Sequence, residues 1–544
     1  MTETSAPTRA SWLPLIIVML CQIQLSFNAF NVSIAGITTD LGIPATSVGT
    51  ALTTGTFAMA GFILLGAKVG ARIGVRRAFQ IGVLVPAAAA FVIAFAQNGT
   101  ELFIAQAISG ASVALSAPAL TVLIARNYRG RQQAQAIGFL ASAIPLAQVI
   151  SLLIAGYFAS TIGWRWSFVL VGCIGLLNFA LSWLLKPITA DGSVAIDWTG
   201  AVLSSAAIIS ISFGFTGLVS WGFWHATAQA PFSIAGLSPV PFFFIVGLVL
   251  LILFFIHQGK KTAAGTVPLL NLKVVKGVKA HATLIVMSAM LFVGTATSFL
   301  MPLYMQMVRG LGGLETSLSV VPYTISIFIA NTLVVRLYDR FSPAQIARTG
   351  LWVVTIALGW LGVTILTGLG QWAVILGLIT LGLAQGCIVA LVFNTLLTLS
   401  PADAAGDVGA VRGVTHNVSG SAGIAVASAI AVAILGGTVA SSAQSSEHIS
   451  TQLVHRLDFG NVNFITDDQL VEILHKAGAT ESEVTAGGQY FANARLSALS
   501  ITMFILAALA LAASFAAPGM PRKTRSEGSS DGPAPEAPAA PEES

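Results

Sequence analysis

Long apolar segments alternate with short polar ones along almost the whole chain. Fourteen of these segments contain about 20 residues or more, enough for an α-helix to cross a bilayer core at about 1.5 Å per residue. The first segment is too long for the apolar part of a signal peptide, which spans roughly 7–15 residues. We predict membrane helices at about 12–37, 47–69, 78–97, 101–125, 134–160, 166–186, 197–220, 238–257, 280–307, 316–338, 346–368, 371–398, 410–437 and 494–517.

The composition indicates that lipid is the solvent for most of the chain. Hydrophobic residues make up 55% of the 544 residues and charged residues only 9%, and the mean hydropathy is +0.85. A soluble domain contains about 25% charged residues, so the expected fold class is an all-α polytopic membrane protein. Cys21, Cys173 and Cys387 all lie in apolar segments, where small buried hydrophobic residues are expected rather than a disulfide framework.

The basic residues predict the orientation of the chain in the membrane. If the N-terminus is cytoplasmic, the inner loops and ends receive 21 Lys and Arg residues and the outer ones receive 5. This asymmetry is the one that the positive-inside rule requires. Both termini are therefore expected in the cytoplasm, and the net charge of +5 reflects topology rather than binding of nucleic acid.

Two short basic loops suggest that the chain contains two related halves. Each follows the second helix of a set of six, and a loop repeated in this way is typical of a duplicated transporter fold. We predict six-helix bundles at 1–190 and 263–518, two linker helices within 191–262, and a disordered tail at 519–544. The candidate gating residues in the loops are Lys68, Arg72, Gly74, Arg76 and Arg77 in the first, and Asp339 and Arg340 in the second.

A polar segment at 438–493 interrupts the second predicted bundle. It carries seven acidic and two basic residues, which is too polar for lipid, and the helix count places it outside the cell. A capping box at 466–469 and a terminating Gly478 predict one short amphipathic helix. Because such a segment adds little to an apolar core, we expect that residues 445–488 can be deleted without unfolding the membrane helices.

Several motifs resemble those of the major facilitator superfamily, and within it the fourteen-helix drug:proton antiporter-2 group. The most specific is Gly-Trp-Arg-Trp-Ser-Phe at 163–168, which is similar to the start of that family's sixth helix. Pro-Leu-Leu-Asn-Leu at 268–272 and Pro-Leu-Tyr-Met-Gln at 302–306 follow in the expected order. The resemblance extends to about residue 517 and implies two six-helix bundles with two inserted helices, and multidrug efflux. The signature residues that carry it are Gly163, Trp164, Arg165 and Trp166.

The chain departs from the family pattern where charges would couple transport to protons. The resemblance implies an Asp where Ser26 stands, an Asp where Ala71 stands and an Arg where Gln106 stands. The Gly-Pro pair of the fifth helix is absent from 151–156, and His416-Asn417 replaces an Arg-Gln pair. None of the 21 acidic residues falls in the middle of an apolar segment, so classical proton antiport and an uncoupled mechanism both stay open.

Polar residues inside the apolar segments are the candidates for binding and coupling. In lipid such side chains face the interior of a helix bundle, where they join helices or line a cavity. Both roles are open for the first helix, in which Gln24, Asn28 and Asn31 are expected to share one face and Gln22 and Ser26 another. Gln106 and Gln148 are similar, and the resemblance turns Gln106 toward the cavity.

Arg412, His416 and Asn417 are candidates near the predicted cytoplasmic end of the thirteenth helix. Arg412 is either an interfacial anchor or a substrate contact. His416 is either a structural residue or a site for a proton or substrate, since histidine titrates near neutral pH. These candidate charges favour a neutral or anionic amphipathic substrate, unless the rim acids Asp40, Glu315 or Asp407 turn inward.

Three functional hypotheses follow for a protein in which we find no enzyme signature, phosphate-binding loop, or metal-ligand spacing. The first is a secondary transporter that exports an amphipathic small molecule across the bacterial cytoplasmic membrane. The second is an uncoupled facilitator of the same fold, and the third is a membrane sensor or scaffold that uses the segment 438–493. We expect a monomer with no cofactor, whose partners are the substrate and the bilayer; protons and periplasmic partners are left open.

Overall fold

The computed structural model describes residues 11–27, 29–128, 130–187, 195–227, 230–270, 272–337, 340–400, 405–444, 464–465 and 467–522. In this part of the chain all sixteen regular elements of more than five residues are α-helices. They are α1 Leu13–Ser26, α2 Ile34–Leu41, α3 Ala45–Ile73, α4 Val75–Ala94, α5 Gly99–Asn127, α6 Gly130–Thr161, α7 Arg165–Ser182, α8 Trp198–Ser220, α9 Pro239–Ala263, α10 Val278–Leu303, α11 Gly313–Leu337, α12 Pro343–Thr367, α13 Gln371–Leu399, α14 Ala405–Gln444, α15 Asp467–Lys476 and α16 Glu481–Ser514.

The prediction of an all-helical membrane protein is confirmed at this level. Twelve helices in the described ranges are long and apolar enough to cross a membrane. The other two predicted spans, the first and the fifth, correspond to the shorter apolar helices Leu13–Ser26 and Leu146–Thr161. Residues 188–194, which include the first residues of the predicted linker unit 191–262, and residues 523–544 of the predicted tail 519–544 lie outside the described ranges.

The first predicted span is not one continuous helix, which corrects the interpretation of 12–37. Helix α1 ends at Ser26, and Phe27 is extended with φ −70° and ψ 107°. A 3₁₀ turn at Phe30–Val32 precedes α2. Broken helices are tolerated at membrane depth when other protein segments satisfy their polar groups, and Asn31 is such a case, since its side chain and carbonyl bind the second half of the chain.

Helices α8 and α9 pack against each other, and α8 lies beside α3 and α14. The hydroxyl of Ser205 on α8 donates to the Gly61 carbonyl of α3 at 2.7 Å. Phe215 of α8 stacks on Phe57 of α3, with ring centroids 5.7 Å apart. The inserted pair therefore covers one side of the junction between the N-terminal helices α1–α7 and the C-terminal helices α10–α16.

The segment between α14 and α16 is shorter than the sequence predicts. Helix α14 continues to Gln444 and α16 begins at Glu481, so both helices extend into the predicted loop 438–493. The short helix exists as α15, and Gly478 has the expected positive φ of 84°. Thr466, from the predicted capping box, lies outside the described residues.

The expectation that this segment adds little to the core is wrong. The Phe464 side chain is fully buried in the main hydrophobic cluster, and its carbonyl accepts from the Ala45 amide at the start of α3. Arg495 of α16, also buried, donates to the Ile465 carbonyl at 3.3 Å and to Asp467 at 2.6 Å. Hydrophobic burial at a single position was invisible in a polar average over 56 residues. We call the end of the bundle that carries Phe464 the loop end, and the opposite end, where α1 begins, the terminal end.

Candidate functional site

The broken first span joins the two parts of the chain near the loop end. The Asn31 side-chain amide donates to the Ser298 carbonyl of α10 at 3.2 Å. Gln306 donates to the Asn31 carbonyl at 2.7 Å and accepts from the Ala35 amide at 3.1 Å. Gln306 belongs to a π-helical turn, Tyr304–Val308, and π turns are frequent at functional sites. Gln306, the last residue of the Pro-Leu-Tyr-Met-Gln motif, therefore forms hydrogen bonds between the two halves of the chain.

A second contact between the halves is made by α6 and α11. Ser317 donates its hydroxyl to the Leu152 carbonyl at 2.7 Å, and the Leu314 amide donates to Ser160 Oγ at 2.9 Å. A side chain at Gly156 would overlap the Ser317 hydroxyl and the Gly313 carbonyl. The absence of a side chain at Gly156 is therefore what allows the two helices to close the loop end.

Gln148 lies on the same face of α6 as these contacts, but nearer the terminal end. Residues 148, 152 and 156 are spaced by four, which places them one above another on a helix. Leu152 and Gly156 are buried against α11, whereas Gln148 is exposed. Gln148 is thus exposed on the terminal side of the contact between α6 and α11.

Arg412 and His416 lie on α14, also on the terminal side of the closed contact. The Arg412 guanidinium lies 4.4 Å from the Phe393 ring centroid of α13, a cation–π arrangement. Both Arg412 and His416 are exposed. One turn further, the Gly420 carbonyl accepts from Thr295 of α10 at 2.7 Å, so α14 contacts α10 on the loop side of Arg412 and His416.

Asn417, by contrast, is not exposed. It is buried, and its side-chain amide donates to the Gly413 carbonyl of its own helix at 2.8 Å. Gly413 packs on Ile63 of α3, and Thr56 of α3 bonds Ser421 one turn beyond Asn417. Asn417 therefore belongs to the contact between α3 and α14, and its neighbour His416 points elsewhere.

A polar cluster that the sequence did not single out connects α10, α11 and α13. The Tyr323 hydroxyl donates to Gln385 Oε1 at 2.5 Å and lies 3.3 Å from Ser298 Oγ. Tyr323 is buried and Gln385 half-buried. Since Asn31 binds the Ser298 carbonyl, the cluster reaches the junction of the halves. In the sequence, Gln385 could have indicated this cluster, because it is an amide side chain in the middle of a long apolar segment.

The remaining candidates of the first helix mostly join helices. Gln24 is buried and donates to the Val83 carbonyl of α4 at 3.0 Å. Gln22 donates to Ser26 Oγ at 2.9 Å, so the predicted pair does share a face. The predicted shared face of Gln24 and Asn31 is wrong, because the helix breaks between them. Asn28 lies outside the described residues.

Gln106 is half-buried where α5 crosses α3. A Cβ at Gly55 would lie 3.1 Å from Gln106 Oε1, so Gln106 fills a crossing that requires a residue without a side chain on α3. Gly110, one turn further along α5, lies against the Gly55 carbonyl at the same crossing. This position supports a packing role for Gln106.

The signature residues hold three helix ends together at the loop end. Asp40 of α2 accepts from Trp164 Nε1 at 3.1 Å and from Arg165 Nε at 3.0 Å. Arg165 also donates to the Ala94 and Ala96 carbonyls after α4, at 2.8 Å each. Of the two remaining motif residues, Gly163 has a φ of 102°, a conformation that favours glycine. Trp166 is exposed.

The first basic loop is a tight turn between α3 and α4. Gly74 connects the two helices with φ 96°, a conformation that favours glycine. Arg76 donates to the Trp183 carbonyl at 3.0 Å and lies over its ring at 5.1 Å. Arg72 and Arg77 are exposed, as is Arg340 in the second loop, and Lys68 is half-buried. Asp339 lies outside the described residues.

A buried carboxylate that the sequence reading missed organises the inserted helices. Asp197 caps α8 and accepts from the Gly200 amide at 3.1 Å, from Gln258 at 2.9 Å and from His257 at 3.0 Å. Burial alone would raise the pKa of Asp197, but these hydrogen bonds and the nearby His257 hold the pKa below its ordinary value. Gln258 also accepts from the Leu269 amide at 2.8 Å, which fixes the Pro-Leu-Leu-Asn-Leu motif.

The carboxylates of the described helices lie close to helix ends. Asp40 pairs with Arg165, and Glu315 accepts from the Gly312 amide at the start of α11. Asp407 is the third residue of α14. Within the described ranges no group of three or more His, Cys, Asp or Glu side chains is arranged to hold a metal ion.

Comparison with known proteins identifies the class. The family model described as Major Facilitator Superfamily matches residues 16–424, and the chain therefore belongs to this superfamily. Its relatives include transporters of the resistance type. The chain is 25% identical over 352 residues to the lincomycin resistance protein of Streptomyces lincolnensis, covering 64% of this chain and 70% of that protein.

Other relatives and solved structures agree with this class. The chain is 24% identical over 454 residues to the probable actinorhodin transporter of Streptomyces coelicolor, covering 80% of this chain and 75% of that protein. A bacterial homologue of the human lysosomal transporter Spinster, in an inward-facing and occupied conformation, matches with a TM-score of 0.59. That match covers 93% of this chain and 95% of the other at 15% identity, and it shows the fold. The family and these neighbours indicate a transporter and not an enzyme.

Proposed function

We propose that the protein is a secondary transporter that exports an amphipathic or hydrophobic small molecule across the bacterial cytoplasmic membrane by alternating access. The carrying observation is the contact between α6 and α11, which closes the loop end through Ser317 and Leu314, while Gln148, Arg412 and His416 are exposed nearer the terminal end. A path closed at one end and accessible further along is what alternating access requires of one of its states.

The proposed architecture is two six-helix bundles with α8 and α9 inserted between them, fourteen spans in all, and both termini in the cytoplasm. The count treats α1, the 3₁₀ turn and α2 as one broken span. The 21-to-5 distribution of basic residues supports the orientation. A reporter fused after Arg525 should score as cytoplasmic and one inserted near Gly460 as external. An external signal from the C-terminal fusion would contradict the count.

The substrate class follows from the charges around the accessible space. Arg412 and His416 are neutral-to-positive groups, and the described carboxylates lie at helix ends with Asp40 already paired to Arg165. Desolvating a cation without a counter-charge is costly. We therefore propose a neutral or anionic amphipathic substrate. The resistance-type relatives at about 25% identity support export as the direction.

Ethidium efflux from cells that lack their own pumps tests the charge preference. We expect poor efflux of this cation. Strong efflux that survives His416→Ala and Arg412→Gln, but disappears on neutralising Asp40, Glu315 or Asp407, would contradict the proposal and identify the missing carboxylate.

An uncoupled facilitator of the same fold is the second candidate. The observation that favours it is the position of the described carboxylates, which leaves the middle of the membrane helices without an acidic proton carrier. Counterflow in liposomes with and without a pH gradient separates the two candidates. Accumulation driven by the gradient supports coupling, and equilibration that is indifferent to it supports the facilitator.

A further inference from the structure

A large groove lies outside the space between the halves. It has a volume of about 790 Å³ and is formed by α3, α5 and α8 with one residue, Val432, from α14. Its lining includes none of Gln148, Arg412 and His416. A volume of roughly 300–1,000 Å³ is typical of small-molecule sites.

The groove has an opening on the outer face of two membrane-spanning helices. Ile108 on α5 and Phe213 on α8, both in the lining, are exposed. These residues lie well inside helices long and apolar enough to span a membrane. A molecule that reaches the groove through this opening must therefore be dissolved in the lipid.

The lining changes from polar to apolar along the groove. Near the loop end it contains Thr46 and Ser47 of α3 together with Ser220 and Trp221 around the end of α8. Aromatic side chains follow toward the membrane centre, among them Phe62 of α3. Tryptophan favours the membrane interface, so the polar part lies at the depth where the head of an amphipath would be.

Hydroxyl groups of the lining can accept hydrogen bonds from a ligand. Thr54 donates its hydroxyl to the Thr50 carbonyl at 2.7 Å, and Thr50 donates to the Thr46 carbonyl at 3.3 Å. Ser212 on the facing helix donates to the Ile208 carbonyl at 2.7 Å. A hydroxyl that has used its proton keeps lone pairs for accepting, so the ligand is expected to supply the donors.

The lining contains no ionisable side chain among the described residues. A charged head group would lose hydration there without a partner, which is costly. Together these features define an uncharged molecule with hydroxyl donors at one end and an aliphatic body. We propose that the groove is a binding site for an uncharged, hydroxyl-bearing amphipath taken from the bilayer. The site does not depend on the transport function proposed above.

Photolabelling of the full chain in phosphatidylcholine nanodiscs tests this site. The probe is a monoacylglycerol with a diazirine in its acyl chain, and the comparison probes are the fatty acid and the fatty acid methyl ester with the same chain. We expect saturable labelling of residues 44–62 and 209–221, displaced by unlabelled monoacylglycerol. The anionic fatty acid should label these peptides at least fivefold less. Equal labelling by the fatty acid, or labelling spread evenly over lipid-facing helices, would overturn the proposal.

Two variants locate the ligand within the groove. Ala111→Trp places a ring in the lining of α5 and should lower labelling by monoacylglycerol at least fivefold. The matched control is Ala88→Trp on the exposed face of α4, which should leave labelling unchanged. Labelling that survives Ala111→Trp in a protein with a normal gel-filtration profile contradicts the site.

The second variant keeps the shape of the groove and removes acceptors. Thr50→Val combined with Thr54→Val should weaken monoacylglycerol binding about fivefold, the factor that corresponds to about one lost hydrogen bond. Binding of the methyl ester, which has no hydroxyl, should not change. An equal loss for both probes would show that the hydroxyls do not read the head group and would overturn the assignment of the ligand class.

Discussion

The docking of the segment before α15 gives the most detailed prediction. Phe464 is fully buried in the main core, although it lies in a stretch that is polar on average. Replacing a buried Phe by Ala costs about 3–5 kcal/mol, from lost transfer free energy and the cavity that remains. In Phe464→Ala this cost falls on docking of the segment, because its other anchors are the backbone bond to Ala45 and the bonds from Arg495.

Hydrogen exchange at the amides of α15 measures this docking. A loss of about 3 kcal/mol in local stability raises the exchange rate about 150-fold where exchange follows local opening. The control is Val471→Ala, since Val471 lies on α15 itself and is 39% exposed. It should change exchange at the same amides by only a few-fold. Unchanged exchange in Phe464→Ala would show that the segment is not held by its aromatic anchor.

Three further variants test other parts of the structure. Asp197→Asn should lower the free energy of unfolding at neutral pH by about 2 kcal/mol. Because the folded-state pKa of Asp197 is depressed, the difference from wild type in thermal melts should shrink as the pH falls below 3.8, the ordinary pKa of an aspartate. A difference that stays constant with pH would contradict this. Gly156→Val should keep α6 and α11 apart, so that a cysteine probe near Ser160 becomes more reactive toward a water-soluble maleimide; an unchanged reactivity would argue against closure at this contact. Tyr323→Phe should cost about 1–2 kcal/mol, because it leaves Gln385 without its donor, whereas a neutral effect in a melt would show that Gln385 finds another partner.

The helical architecture was predictable because it depends on averages over long segments. Apolar length predicts a span regardless of which residues touch, and the observed helices fall on the predicted segments with shifts mostly at their ends. The break at Phe27 was not predictable in this way. It depends on Asn31 and Gln306, which are 275 residues apart, and their bonds exist only once the two halves have packed.

The candidate site was predictable in part. Polarity within an apolar segment drew attention to Gln148, Arg412 and His416, which are exposed, and their role in binding or coupling stays a prediction. The same criterion could not separate them from Gln24 and Asn417, which bind backbone carbonyls instead. Neighbouring positions on one helix face different partners, and only the packing of the other helices decides which of them reaches open space.

The Asp197 network shows a different limit. Its carboxylate, His257 and Gln258 come from two helices whose pairing sets the cluster. In the sequence, Asp197 is only a polar residue before an apolar segment, and Gln258 lies at the end of another. The Pro-Leu-Leu-Asn-Leu motif was noticed as a resemblance, but the contact of its Leu269 amide with Gln258 gives it a physical role.

Substrate exchange by the purified protein is the most direct test of transport. Liposomes containing the full chain are loaded with a neutral or anionic amphipathic compound and diluted into a trace of the same labelled compound. We expect that labelled compound accumulates transiently inside, and that Gly156→Val, which prevents closure of the loop end, abolishes this counterflow in protein that still inserts and runs as a single species. Counterflow that is unaffected by Gly156→Val, or its absence for every neutral and anionic amphipath tested with folded wild-type protein, would contradict transport by alternating access.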